Sequence, residues 1–194
     1  MLGLFLGLIA ATQAATPSPA GDSRQLYQAC PGQDVLQRAA DVEWRRTDSL
    51  IEAHRSLRAA HHLPLPEGST RILWYANGGD LATTTFSVVA VRSGEGRWHV
   101  DGVGQTQIWI QGAQPTPMPR LKRDLDAEES RRLDALLEDP CLYAGPTFLR
   151  DPTIIAGGLF GTLEIETPAR RWIGTWIALP TRQENDVLQM IGRQ

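Results

Sequence analysis

Residues 83–103 constrain this chain more than any other stretch. Two segments, TTTFSVVAVR and RWHVDGV, alternate in character and are rich in the β-branched and aromatic side chains that fit a pleated, half-buried surface. Between them lies Ser93-Gly94-Glu95-Gly96, a tight reversal. A two-residue turn at Gly94-Glu95, or a four-residue loop, sets Arg92 opposite Arg97 and Val89 opposite Val100. Side chains alternate with a period of two. One face then carries Thr85, Ser87, Val89, Val91, Trp98 and Val100, and the other Phe86, Val88, Ala90, His99, Asp101 and Val103. Apolar residues on both faces mean that this hairpin belongs inside a larger sheet.

The flanking sequence supplies the neighbours. RILWYA (71–76) runs through Asn77-Gly78-Gly79-Asp80, a strong turn signal, into the first arm, which makes those two strands antiparallel. The second arm continues through Gly102-Val103-Gly104 to a further strand at 106–110, TQIWI. Residues 111–119, with Gly112 and three prolines, read as a surface connection. A second hairpin is expected from 162–167 and 171–179.

Helical spacing appears in three places. Between 34 and 63, Val35, Ala39 and Val42, and then Leu50, Ile51, His54, Leu57 and His61, recur at three and four residues. This is either one kinked helix or two broken near 45–48, ended by Pro64 and Pro66. Asp126 with Glu129 forms a capping box before Leu133, Leu136 and Leu137, with Leu125 as a staple and Pro140 as the stop. Thr181 with Glu184 opens a last helix that ends at Gly192. Residues 142–158 read mostly as loop. The order helix, meander, helix, hairpin, helix predicts a single α+β domain over 30–194, with an antiparallel sheet of about six strands packed with two to four helices.

Residues 1–14, MLGLFLGLIAATQA, have the apolar run and small-residue end of a secretory signal peptide, followed by a polar spacer over 15–29. The run is shorter than the roughly 20 residues of a membrane span, so no stable membrane insertion is expected after cleavage. In an exported chain the two cysteines, Cys30 and Cys141, pair most simply as a disulfide. A periplasmic or secreted location follows. The net charge of −3, from 19 basic and 22 acidic residues spread along the chain, leaves no electrostatic footprint for nucleic acid or an anionic membrane.

Chemistry is sparse. His54 and His61 lack the i, i+4 spacing of a helical metal site, and neither glycine-rich stretch has the context of a phosphate loop, so no metal and no cofactor are expected. His99 and Asp101 fall on one face of one strand, where a carboxylate could orient an imidazole for general-base work. No serine or cysteine sits in a nucleophile motif beside them. In the second hairpin, Pro168 cannot supply the positive φ of a primed turn. The loop should then be three or four residues. Four would set the tryptophans with Leu163 and Ile165, whereas three separates aliphatic from polar more cleanly and is expected, which places Glu164, Glu166, Trp172 and Trp176 together as a platform for a carbohydrate or a basic partner. The competing reading is that a helix covers this face and the tryptophans are core. Six tryptophans and the failure of each catalytic pattern favour a non-enzymatic binding or accessory protein, with another envelope protein or a carbohydrate as partner. The alternative is a small hydrolase using His99 with Asp101, or Glu164 with Glu166.

Overall fold

The computed structural model describes residues 30, 47–66, 68–79, 81–144, 148–150, 158–177, 180 and 182–192. The expected signal peptide, the spacer, the first part of the 34–63 helical stretch and Thr181 lie outside the described residues.

The order of elements is α1 (Thr47–Ala60), β1 (Arg71–Gly78), β2 (Ala82–Arg92), β3 (Trp98–Ile108), β4 (Thr116–Pro117), β5 (Leu121–Asp124), α2 (Ala127–Glu138), α3 (Pro140–Ala144), β6 (Phe148–Arg150), β7 (Phe160–Thr167), β8 (Arg170–Ile177) and α4 (Arg182–Gly192). The strands form one open sheet in the order β4-β3-β2-β1-β7-β8-β6, with β5 also pairing with β3. All pairings are antiparallel except that of β6 with β8. The α+β class and the meander followed by a hairpin are as the sequence implies. The sheet has eight strands where about six are expected. The second arm and the separate strand expected at 106–110 are one continuous β3 ending at Ile108, and the short β4, β5 and β6 are additional, β6 within the stretch read mostly as loop. β4 falls in the proline-rich connection, where Pro117 sits opposite Gln105 on the outermost strand. An edge tolerates the missing N–H that an interior strand does not.

The central hairpin differs from expectation by one residue. Ser93 N–H donates to Arg97 O at 2.8 Å, Gly96 N–H donates to Ser93 O at 3.0 Å, and Gly96 has φ of 80°. This is a three-residue loop with glycine in the left-handed position. An odd loop reverses parity. Val100 therefore pairs with Ala90, and Asp101 with Val89. Trp98 and Val100 join Phe86, Val88 and Ala90 on one face, while His99, Asp101 and Val103 join Ser87, Val89 and Val91 on the other.

The first of these faces makes the main core. Ile72, Val88, Ala90, Trp98, Val100, Leu163, Ile165 and Trp176 pack against Leu125, Leu133 and Leu142 and against Val187, Leu188, Met190 and Ile191 of α4. The Asp126 capping box is formed as expected, accepting from Glu128 and Glu129 N–H while Glu129 accepts from Asp126 N–H. Trp98 is held by its indole N–H to Asp134 Oδ1 at 2.9 Å. Cys30 is bonded to Cys141 at the start of α3. The opposite face is covered by α1, whose end is a Schellman motif. Leu63 N–H donates to Arg58 O at 2.9 Å and His62 N–H to Ala59 O at 3.0 Å, with His62 at φ 57° in the position that usually takes glycine.

Candidate functional site

The second hairpin corrects the binding-platform expectation. Thr167 pairs with Arg170, so the loop is the two residues Pro168 and Ala169, neither with positive φ. Thr167 Oγ1 closes this unprimed turn by accepting from Arg170 N–H at 3.1 Å and donating to Arg170 O at 3.3 Å. The even loop puts Trp172 opposite Ile165 and Trp176 opposite Gly161, on the core face. Trp176 is 1 % exposed, and its indole lies where a Cβ on Gly161 would stand. Trp172 packs against the same core and meets Tyr143 edge-on at 5.8 Å. Glu164 and Glu166 point to the other face. Each is held by a guanidinium, Glu164 Oε1 by Arg171 at 2.6 Å and Glu166 Oε2 by Arg71 at 2.7 Å. The two pairs of residues are therefore separated by the sheet.

His99 and Asp101 do share a face of β3, but each bonds elsewhere. His99 sits opposite Asp124 of β5, and its Nδ1 lies 2.6 Å from Asp124 Oδ1. The Asp101 carboxylate accepts two bonds from Arg120, at 3.2 and 2.9 Å, and a longer one at 3.5 Å from Arg58. Neighbours on one face of a strand are about 7 Å apart, so sideways partners win.

Two features stand out that motif reasoning missed. The first is a polar layer between α1 and the sheet. His54 is 2 % and Arg58 1 % exposed, and Ser87, Thr162 and Glu164 are buried with them. His54 Nε2 is 3.5 Å from Ser87 Oγ, while His54 Nδ1, Arg58 Nε and Thr162 Oγ1 have no hydrogen-bond partner. Burial, helped by the charges of Arg58 and Arg55, pulls the His54 pKa down from 6.5 to about 4, so the imidazole is neutral at pH 7. A cavity of about 10 Å³ lies beside it, bounded by Ile51, His54, Leu73, Tyr75, Thr162 and Glu164. That is about the space of one water and excludes an organic substrate from Ser87 and His54 as they stand.

The second feature is the end of the sheet where β1 turns into β2 and β3 runs out. Leu81 is 85 %, Trp109 67 % and Ile110 66 % exposed, and Ile108 and Met118 are exposed with them. Local structure fixes this end. The Trp109 indole N–H donates to Thr83 Oγ1 at 2.7 Å, and Ile110 N–H to Ile108 O at 2.9 Å. Ala113 N–H closes a turn on Ile110 O at 3.0 Å, with Gly112 at φ 80° as its third residue. Met118 N–H donates to Gly104 O at 2.8 Å, which lays Met118 across a β3 position that has no side chain. Residues 81–91 and 102–119 carry no Asp, Glu, Lys or Arg, and Asp101 and Arg120 lie just outside the second run. The sequence signal was that uncharged run around Ile108-Trp109-Ile110, which reads as an ordinary strand until its exposure is known.

No protein-family model matches this chain, and no curated protein and no solved structure is significantly similar to it. Function has to be reasoned from the chemistry of these sites.

Proposed function

We propose that this chain is an exported, non-enzymatic binding or accessory protein whose working surface is the uncharged apolar end of its sheet. The observation that carries this reading is the exposure of Leu81, Ile108, Trp109, Ile110 and Met118 together. Contiguous exposed apolar side chains mark interaction surfaces, and tryptophan is the residue most enriched among binding anchors. Trp109 is also oriented in advance by its bond to Thr83, which lowers the ordering cost of binding. Export is supported by the apolar leader and by the Cys30–Cys141 bond.

A hydrolase reading draws less support. His99 is hydrogen-bonded to Asp124, Asp101, Glu164 and Glu166 are each engaged in ion pairs, and Ser87 with His54 is buried. A carbohydrate partner loses its main argument once Trp172 and Trp176 lie across the sheet from the two glutamates. An apolar partner of the envelope is the better match. The test compares the tagged full chain with its Trp109→Gln variant, both recovered from the native envelope, with the bound material identified. The expected result is a defined component retained by the wild type and lost by an equally stable variant. Identical retention by both would overturn the proposal.

A further inference from the structure

We propose that this end of the sheet is a membrane-contact surface that enters the interface of a zwitterionic bilayer. The inference rests on the reading of the tip as the working surface and adds what it touches. Three separate segments bring exposed apolar side chains toward this end of the sheet. Among the described residues of the tip, the polar groups that a bilayer would desolvate are largely bonded internally. The Trp109 N–H is on Thr83, the Ile110 and Ala113 N–H groups close their own turns, and Gln107 Nε2 donates to Ala113 O at 3.2 Å. Hydrocarbon offers no hydrogen bonds, so internal satisfaction is a condition for entering it. A protein pocket makes no such demand and commonly takes the tryptophan N–H itself.

Charge points the same way. Residues 81–91 and 102–119 bear no formal charge, and the four charges that flank these runs in sequence, Asp80, Arg92, Asp101 and Arg120, are two of each sign. Arg120 is already bound to Asp101. Among the described residues of the tip, nothing selects for anionic lipid and nothing steers a charged protein partner. Gln105, Gln107, Gln111, Thr84 and Thr106 lie around the apolar residues. Uncharged groups of this kind suit the headgroup level, where tryptophan is itself enriched.

The test is flotation of the full chain with phosphatidylcholine vesicles, in wild type, in Trp109→Gln/Ile110→Gln and in Leu81→Gln. Expected are co-flotation of the wild type that changes little between about 0.05 and about 0.5 M salt and little on adding phosphatidylglycerol. The double variant should bind at least about tenfold more weakly, and Leu81→Gln severalfold more weakly, with unchanged melting curves. Equal flotation of wild type and both variants would move the contact elsewhere, for instance to the apolar leader, and overturn the proposal. So would binding only to anionic vesicles, no flotation at all, or a tip-dependent dimer in sedimentation without vesicle binding. If vesicles are not bound while Trp109→Gln still loses an envelope component, the membrane inference falls and the tip reading stands. If the variant also keeps every envelope association, both fall.

Discussion

The two faces of the sheet are made by the same strands and covered in opposite ways. Toward α2 and α4 the buried side chains are almost entirely aliphatic or tryptophan, from Ile72 and Val88 to Trp98 and Trp176. Toward α1 the layer contains His54, Arg58, Ser87, Thr162 and Glu164 beside Leu57, Leu73, Tyr75 and Val89. Alternation with a period of two lets one strand serve both: Val88 and Ala90 face the first layer, and Ser87 and Val89 the second. The apolar layer is held mainly by burial and shape, its polar groups including the indole N–H of Trp98, bonded to Asp134, and that of Trp74, which has no partner. The polar layer must also satisfy donors and acceptors, and with three polar atoms unpartnered it does so incompletely. The α2–α4 side should therefore dominate stability, and the α1 side should be the more sensitive to conditions.

The largest effect should come from the apolar side. Trp176→Ala removes a fully buried indole and leaves Gly161 beneath it uncovered, for a loss of about 3 to 5 kcal/mol in urea unfolding. A loss under about 1 kcal/mol would break the contrast between the faces. The Cys30–Cys141 bond comes next. It closes a separation of 111 residues, and Cys30→Ser/Cys141→Ser should cost about 2 to 4 kcal/mol by freeing the unfolded chain. A double variant as stable as the oxidised wild type would show that the tether adds nothing to the packed helices.

Acid should separate the faces more sharply. In the unfolded chain an imidazole takes up its proton near pH 6.5, whereas in the fold burial delays His54 to about pH 4. Between those values the unfolded chain holds the extra proton, so stability is full above about pH 6.5 and is lost as pH falls toward 4. The loss attributable to His54 is on the order of 3 kcal/mol. It should be present in wild type and missing from His54→Leu when both are unfolded across this range, so that the two curves diverge as pH falls. Parallel pH curves for the two proteins would remove His54 as the acid-sensitive group of the α1 face.

These features were unequally legible. The Asp126 capping box and the cysteine pair depend on local pattern or on counting, and each is found where expected, whereas the reversal expected at Asn77-Gly78-Gly79-Asp80 comes later, since Asn77 and Gly78 still pair with Thr85 and Thr84. His54 also lay on the apolar stripe of its helix. Register was not legible, because Ser93-Gly94-Glu95-Gly96 accommodates loops of either parity and one residue turns a strand over. Pro168 argued against a primed turn but left an unprimed one open, and the clamp from Thr167 Oγ1 decides it. Arg58 gave no warning of its burial, since arginine is rarely fully buried. The exposed tip was hidden for the converse reason: Ile108-Trp109-Ile110 has the composition of a buried strand.

The smallest predicted effect is the most specific to the polar face. Thr162 is buried on β7, and its hydroxyl has no hydrogen-bond partner although the residue borders the cavity beside His54. A buried hydroxyl that has left water without gaining a bond destabilises the fold, and valine keeps the β-branched shape that a strand favours. Thr162→Val should therefore raise stability by about 1 kcal/mol, a gain of a few degrees in melting temperature. The same exchange at Thr175, on the same face of β8 opposite Thr162, supplies the control, because Thr175 is not among the unpartnered groups. It should be neutral or destabilising. A drop in stability for Thr162→Val would mean that the hydroxyl is satisfied in solution, and the α1 layer would then be a completed polar network instead of a partly satisfied one.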